Sequence, residues 1–276
     1  MATVMKYAIC NEMFEGWAPE RIFAHAASVG YHGVEIAPFT LAEDCRSITA
    51  SRRAELRAAA ADCGIEIVGL HWLLVSPEGL DINSTDASVR DRTEEYLRAL
   101  VELCAELGGK VCVFGSPAQR TIDPAETYLE AWKRSVELLR RVAASAATHG
   151  VVIAFEPLAP ALTNFVNTMA EGQLLVRDVD HPSLRLHLDV IAMHAQGRPV
   201  AETLRLEGNT CLAHVHVNDP NKLGPGMGEL DFAPIGEALR GIGYDGYVSV
   251  EVFDFAPGAE KIAAASIETL KTHFGT

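Results

Sequence analysis

Four residues able to do chemistry recur at a regular interval: Glu156, Asp189, His216 and Glu251, separated by 33, 27 and 35 positions. Each closes, or nearly closes, a short β-rich run: VVIAFE, LRLHLD, CLAHVHV and YVSVE. An interval of that size matches one strand–helix unit. In a sheet whose neighbours are consecutive strands, the four side chains can therefore meet at one end. Two Glu, one Asp and one His supply three carboxylates and an imidazole. That donor set suits a divalent ion such as Mn²⁺, Mg²⁺, Co²⁺ or Zn²⁺, and it lacks the thiolates of a closed structural zinc site. Without a cation the cluster would repel itself. Any one of the four taken alone reads as readily as an ordinary ion-pair partner; the shared register is what favours a metal centre.

The elements that must position these residues alternate along the whole chain. Strands are expected at 4–10, 32–38, 65–72, 110–117, 151–156, 184–190, 211–217 and 247–253. Helices are expected at 19–29, 50–63, 86–107, 124–149, 168–178, 199–207, 233–240 and 258–273. Short apolar β-branched runs read as strands covered on both faces, and strict alternation with helices implies parallel pairing and right-handed crossovers. Eight such units in 276 residues fit an α/β fold, one (β/α)8 TIM barrel spanning 1–276 as a single domain. A doubly wound nucleotide-binding sheet is the rival, but no Gly-rich fingerprint follows the first strand. The longest connections, 38–49, 72–85, 115–124, 157–167 and 217–232, all follow strands and so belong to one mouth of the barrel, where an active site would be built.

Composition narrows the partners. Hydrophobic residues make up 49% and charged residues 22%, enough for a large core. A net charge of −14 argues against nucleic-acid and anionic-membrane partners, and no run is long enough to span a bilayer. Cys10, Cys45, Cys63, Cys104, Cys112 and Cys211 form no CxxC pair and several lie in apolar runs. They read as free thiols in a reducing compartment, and the N-terminus has no secretory pattern, so a cytoplasmic protein is expected.

The strand-end quartet, with VFGSPAQR (113–120), HVNDPNKLGPGMGELDF (216–232) and IGYDGYVSVEVFDF (242–255), resembles the sugar phosphate isomerase/epimerase superfamily of xylose isomerase-like TIM barrels over essentially the whole chain. That group includes ketose 3-epimerases, hydroxypyruvate isomerase and inosose isomerases or dehydratases, with type II AP endonucleases as distant relatives. The resemblance implies one divalent ion held by Glu156, Asp189, His216 and Glu251, a small-molecule sugar substrate, a homo-oligomer, and acid–base roles for Glu156 and Glu251. Proton transfer beside a carbonyl needs just such a pair. Three positions depart from the ketose 3-epimerase pattern: Ala192 replaces a histidine, Leu162 a glutamate and Lys222 an arginine. The same chemistry is then expected on a different substrate, such as a keto-inositol, a 3-keto-glycoside or another oxidised sugar.

Further substrate contacts are expected from His71, Arg120, His194, Asn218, Asp219, Lys222, Trp17 and Trp72, which follow strands, with Phe39 as another aromatic wall. For His71 a structural role reads equally well, and for Arg120 a solvated or Asp-paired guanidinium is the alternative. Glu35 reads either as support for the site or as an ion pair. His214, two positions before His216, could orient the ligands, whereas His187 reads as core. The expected reaction is isomerisation or epimerisation through an enediolate. The alternative keeps the metal and the base but ends in elimination, as a dehydratase or 3-keto-glycoside lyase. Phosphodiester hydrolysis would want further metals and a basic groove.

Overall fold

The computed structural model describes residues 5–208 and 211–275. Its strands are β1 (Lys6–Cys10), β2 (Gly33–Ile36), β3 (Glu66–Leu70), β4 (Val111–Phe114), β5 (Val152–Phe155), β6 (Leu184–Asp189), β7 (Leu212–Val217) and β8 (Tyr247–Val250). They pair in sequence order, all parallel, and β8 returns to β1 to close the barrel. Around it run α1 (Pro19–Val29), α2 (Ala50–Asp62), α3 (Ala87–Leu107), α4 (Tyr128–His149), α5 (Met169–Val179), α6 (Val190–His194), α7 (Val200–Glu207), α8 (Ala233–Gly241) and α9 (Ala259–Phe274). The (β/α)8 expectation holds. The short α6 was not anticipated, and Val4, the first residue of the expected opening strand, lies outside the described residues. Among the described residues no helix is long and apolar enough to cross a membrane.

Alternation along the strands divides the core in two. Tyr7 and Ile9, Cys112 and Phe114, and Ile153 and Phe155 face the helices as part of the large outer core. Ala8, Val68, Val111, Val113 and Ala154 form a separate small cluster that fills the barrel interior. The interior residues are small, and the same parity carried one step further reaches Cys10 on β1 and Glu156 after β5. Side chains at the top of these strands are thereby turned inward.

The ends of the strands are set locally. α4 begins later than expected, at Tyr128, because Thr127 caps it by accepting from the Glu130 amide. α5 opens on a reciprocal Thr168–Glu171 capping box. β3 stops at Leu70 and the chain turns at Trp72, whose φ of 52° is incompatible with continued strand. β8 stops at Val250, which leaves Glu251 just beyond the last ladder bond.

Candidate metal and proton-transfer site

Asp189, His216 and Ser249 occupy adjoining register positions on β6, β7 and β8, and Asp189 and His216 are direct partners. Asp189 is the last residue of β6, while Glu156 and Glu251 follow β5 and β8 by one residue. The four expected ligands thus gather at one mouth. All are buried, Glu156 being 7% and Glu251 6% exposed. Glu156, Asp189 and Glu251 line a common cavity of about 400 Å³ with His71, Trp72 and Lys222.

Asp189 and His216 are held by hydrogen bonds from neighbouring side chains and amides. Asp189 accepts from the Ala192 amide at 2.8 Å and from Asn218 Nδ2 at 2.6 Å, while Asn218 Oδ1 accepts from the Ile191 amide. His216 bridges two carboxylates, Glu251 through Nδ1 at 3.1 Å and Glu35 through Nε2 at 3.0 Å. Glu35 also holds His214 Nε2 at 2.7 Å. The Glu156 carboxylate lies against Gly115, where an added Cβ would come within 2.5 Å of Oε2. Beneath it, Arg120 Nη1 donates to the Glu156 carbonyl at 2.6 Å, and the guanidinium lies 4.8 Å from the centre of the Phe155 ring.

The electrostatics separate the carboxylates. Burial, followed by the charges of Asp189 and Glu251, drives the Glu156 pKa well above the usual carboxylate range. Burial and Glu251 raise Asp189 to about 6. Burial also opposes charge on Glu35, but His216 and His214 outweigh it and hold that carboxyl well below its usual range. For His216, burial is overcome by Glu35, Cys10 and Glu251, so its pKa is raised. Arg120, sunk in the protein, is lowered by burial to about 9.

Ligand atoms of His187, Asp189 and His216 all lie within 4.8 Å of one another, and so do those of Cys10, Glu35 and His216 and of Cys10, Glu12 and His71. The first of these groups contains two of the four expected ligands. Neither Glu156 nor Glu251 joins a group this tight, but with Asp189 they line one cavity beside His216. With Glu156 and Asp189 pushed toward the protonated form, this is a donor set that a divalent cation would neutralise. The residues fit such an ion.

The other expected residues are distributed unevenly. His71, Trp72 and Lys222 line the cavity, and so do Leu162 and Ala192, so all three departures from the ketose 3-epimerase pattern sit on its wall. Trp17 and Phe39 line a neighbouring groove. Asn218 is buried and serves Asp189 rather than open space. Asp219 is buried against Gly228. Arg120 is fully buried and lies under Glu156, because the loop after β4 folds into a tight turn at Ala118–Arg120 that carries the side chain inward. His194 is exposed at the end of α6, away from the cavity wall. His187 stacks on His214 in the barrel interior, as a core histidine would.

Glu12 and Phe253 were missed. Glu12 Oε2 meets His71 Nε2 at 2.7 Å, and Phe253 meets Trp72 edge-on with centroids 6.4 Å apart. The signal for both was position alone, two residues after β1 and three after β8.

Residues 23–273 match the family described as Xylose isomerase-like TIM barrel. The chain is 31% identical over 205 residues to a D-psicose 3-epimerase of Ruminiclostridium cellulolyticum, covering 72% of this chain and 67% of that protein. It is 26% identical over 266 residues to the 3-dehydro-D-guloside 4-epimerase of Escherichia coli, covering 90% and 92%. The crystal structure of D-psicose 3-epimerase with D-tagatose from Clostridium cellulolyticum superposes with a TM-score of 0.85 at 25% identity, covering 99% of this chain and all of that one.

Proposed function

Because the chain belongs to the xylose isomerase-like TIM-barrel family, we propose that it is a divalent-metal-dependent epimerase or isomerase of keto-sugars or keto-inositols. The observation that carries the proposal is the pairing of two buried glutamates, Glu156 and Glu251, on one cavity with Asp189 and His216 between their strands. The relatives support it, since sugar epimerases are named among them.

Glu156, Asp189, His216 and Glu251 would hold the cation, and Glu35, by accepting from His216 Nε2, keeps Nδ1 on the cavity side. When bound, a divalent cation polarises the substrate carbonyl and offsets the negative charge that develops on the substrate oxygens. The protein does the proton transfers. One glutamate takes the proton from the carbon beside the carbonyl, the C–H electrons pass into the carbon–carbon double bond of an enediolate, and the other glutamate returns a proton to the opposite face. Ligation would make either glutamate a weaker base than a free carboxylate, and the cation would offset this by acidifying the C–H beside the carbonyl it polarises. Ala192, Leu162 and Lys222 on the cavity wall support a substrate other than the free ketohexoses.

The test is exchange of the substrate α-proton in D₂O. Glu156→Gln and Glu251→Gln keep an oxygen for the metal and remove the proton acceptor. Each should slow exchange by about 10²- to 10⁴-fold with metal content retained. Wild-type exchange in both variants would sink the proposal. Product that has lost water or an aglycone would assign the same base to elimination instead.

A further inference from the structure

Outside the carboxylate cavity lies a groove of about 950 Å³ that a lone sugar ring would leave uncovered. The two spaces adjoin, and Trp72 and Phe253 line both. Their combined size exceeds the ~300–1,000 Å³ range of ordinary small-ligand sites. The groove walls are aromatic: Phe14, Trp17, Phe39 and Phe255 join Trp72 and Phe253. Two of these rings, Phe39 at 39% and Phe253 at 40%, and the neighbouring Val75 at 40% are partly exposed to water. Exposed apolar surface gathered beside a cavity marks a binding face more than scattered residues would.

Two details point to the chemistry of the occupant. Trp72 holds a left-handed φ of 52°, a conformation that costs a bulky residue free energy and concentrates at ligand sites. Its ring stands edge-on to Phe253, the other residue that lines both spaces. Among the described residues the charged ones lining the groove, Glu12 and Glu15, are acidic, the Arg21 guanidinium stacks on the Trp17 ring, and Lys222 is the one Lys or Arg lining the inner cavity. The two acidic side chains disfavour a phosphate or carboxylate tail in the groove, whereas a flat uncharged ring would stack on its aromatic walls.

We infer that the sugar substrate carries an uncharged apolar aglycone, an aryl or similar ring group, that lies in this groove while the sugar ring occupies the carboxylate cavity. The inference rests on the proposed function for the position of the sugar, but aglycone binding needs no turnover and can be measured apart from it.

The experiment titrates the full-length protein with phenyl β-D-glucopyranoside and with D-glucose, by calorimetry and by tryptophan fluorescence. Two of the three tryptophans, Trp17 and Trp72, line the groove. Phenyl glucoside should bind at least about tenfold more tightly than glucose, the scale of a stacked aromatic contact, and should quench the fluorescence. In Phe39→Ala the affinity ratio should fall toward one, and Phe39→Tyr, which keeps the ring, should preserve it. Equal affinities, no binding of phenyl glucoside, or a ratio unchanged in Phe39→Ala would overturn the inference. So would binding that emerges only when light scattering shows dissociation into monomers, which would assign the groove to a second copy of the chain. Failure of the D₂O exchange test with the ratio intact would remove the proton-transfer reading and leave the groove assignment standing.

Discussion

Two glutamates inside the same barrel meet opposite environments. Glu35, on β2, is completely buried and has an imidazole on each oxygen, His216 at 3.0 Å and His214 at 2.7 Å. Its charge is matched within the protein, and its pKa falls accordingly. Glu156, across the barrel after β5, faces Asp189 and Glu251, and its pKa rises. Desolvation acts on both; what differs is the sign of the neighbours. A carboxylate whose charge is already answered is a support. One whose neighbours are carboxylates asks for a cation or a proton, and it has both uses in the proposed reaction. In the proposed reaction the half of the barrel from β5 to β8 would carry the chemistry and Glu35 on β2 would orient it, while the half from β1 to β4 forms most of the aromatic groove.

The contrast can be broken first at its electrostatic centre. If the cluster holds a cation, Mn²⁺ added to metal-free protein should raise the melting temperature. At a hundredfold excess over Kd the stabilisation is about 2.7 kcal/mol. That corresponds to several degrees for a chain of this size. Asp189→Ala should abolish the shift and the activity together, because it removes a ligand fixed by both Ala192 and Asn218. A melting temperature that rises equally in wild type and Asp189→Ala would move the ion elsewhere.

A smaller loss is expected on the supporting side. Glu35→Gln replaces one acceptor oxygen by an NH₂ group facing an imidazole N–H, so His214 or His216 loses its partner. Second-layer changes of this kind cost about 10- to 100-fold in metal affinity. Calorimetric titration with Mn²⁺ measures it. Unchanged affinity would mean that Glu35 does not set the orientation of His216.

Gly115→Ala probes the other member of the pair by geometry alone. The new Cβ would come within 2.5 Å of Glu156 Oε2. The carboxylate is the movable partner, so the fold should persist while the acid–base group shifts. A displacement on this scale should lower kcat about tenfold or more. The expected signature is an unchanged melting temperature with a reduced exchange rate.

How far this arrangement was legible in the sequence differs from residue to residue. Glu156, Asp189, His216 and Glu251 could be placed at strand ends because those ends recur once per βα unit, a property of local pattern. The alternation also gave the barrel and placed the long loops on one mouth. Depth was not legible. Arg120 sits in a loop that looked exposed, yet its burial depends on a tight turn and on Asn83, which donates to its carbonyl from the preceding βα loop. Glu12 follows β1 in a segment with a second glutamate nearby, and nothing local separates the one that meets His71 from its neighbour. Strand ends were also drawn too long at Trp72 and Phe253, since apolar character continues past the point where the ladder stops.

His194 gives the smallest expected effect, and it separates sequence position from spatial position. It follows Asp189 by five residues, close enough in sequence to look like a substitute for the histidine that Ala192 replaces. Helical geometry decides otherwise. α6 starts immediately after Asp189, and at 100° per residue Ala192 and His194 point about 200° apart. Ala192 lines the cavity, so His194 is turned to the outside, where it is exposed. His194→Ala should change kcat/KM less than about twofold, within the range of an exposed substitution remote from the site. Ala192→His, by contrast, places an imidazole on the cavity wall and should alter the preference among keto-sugars. A large loss of activity in His194→Ala with stability intact would require α6 to turn inward when substrate binds, and the cavity wall would then have to be redrawn around it.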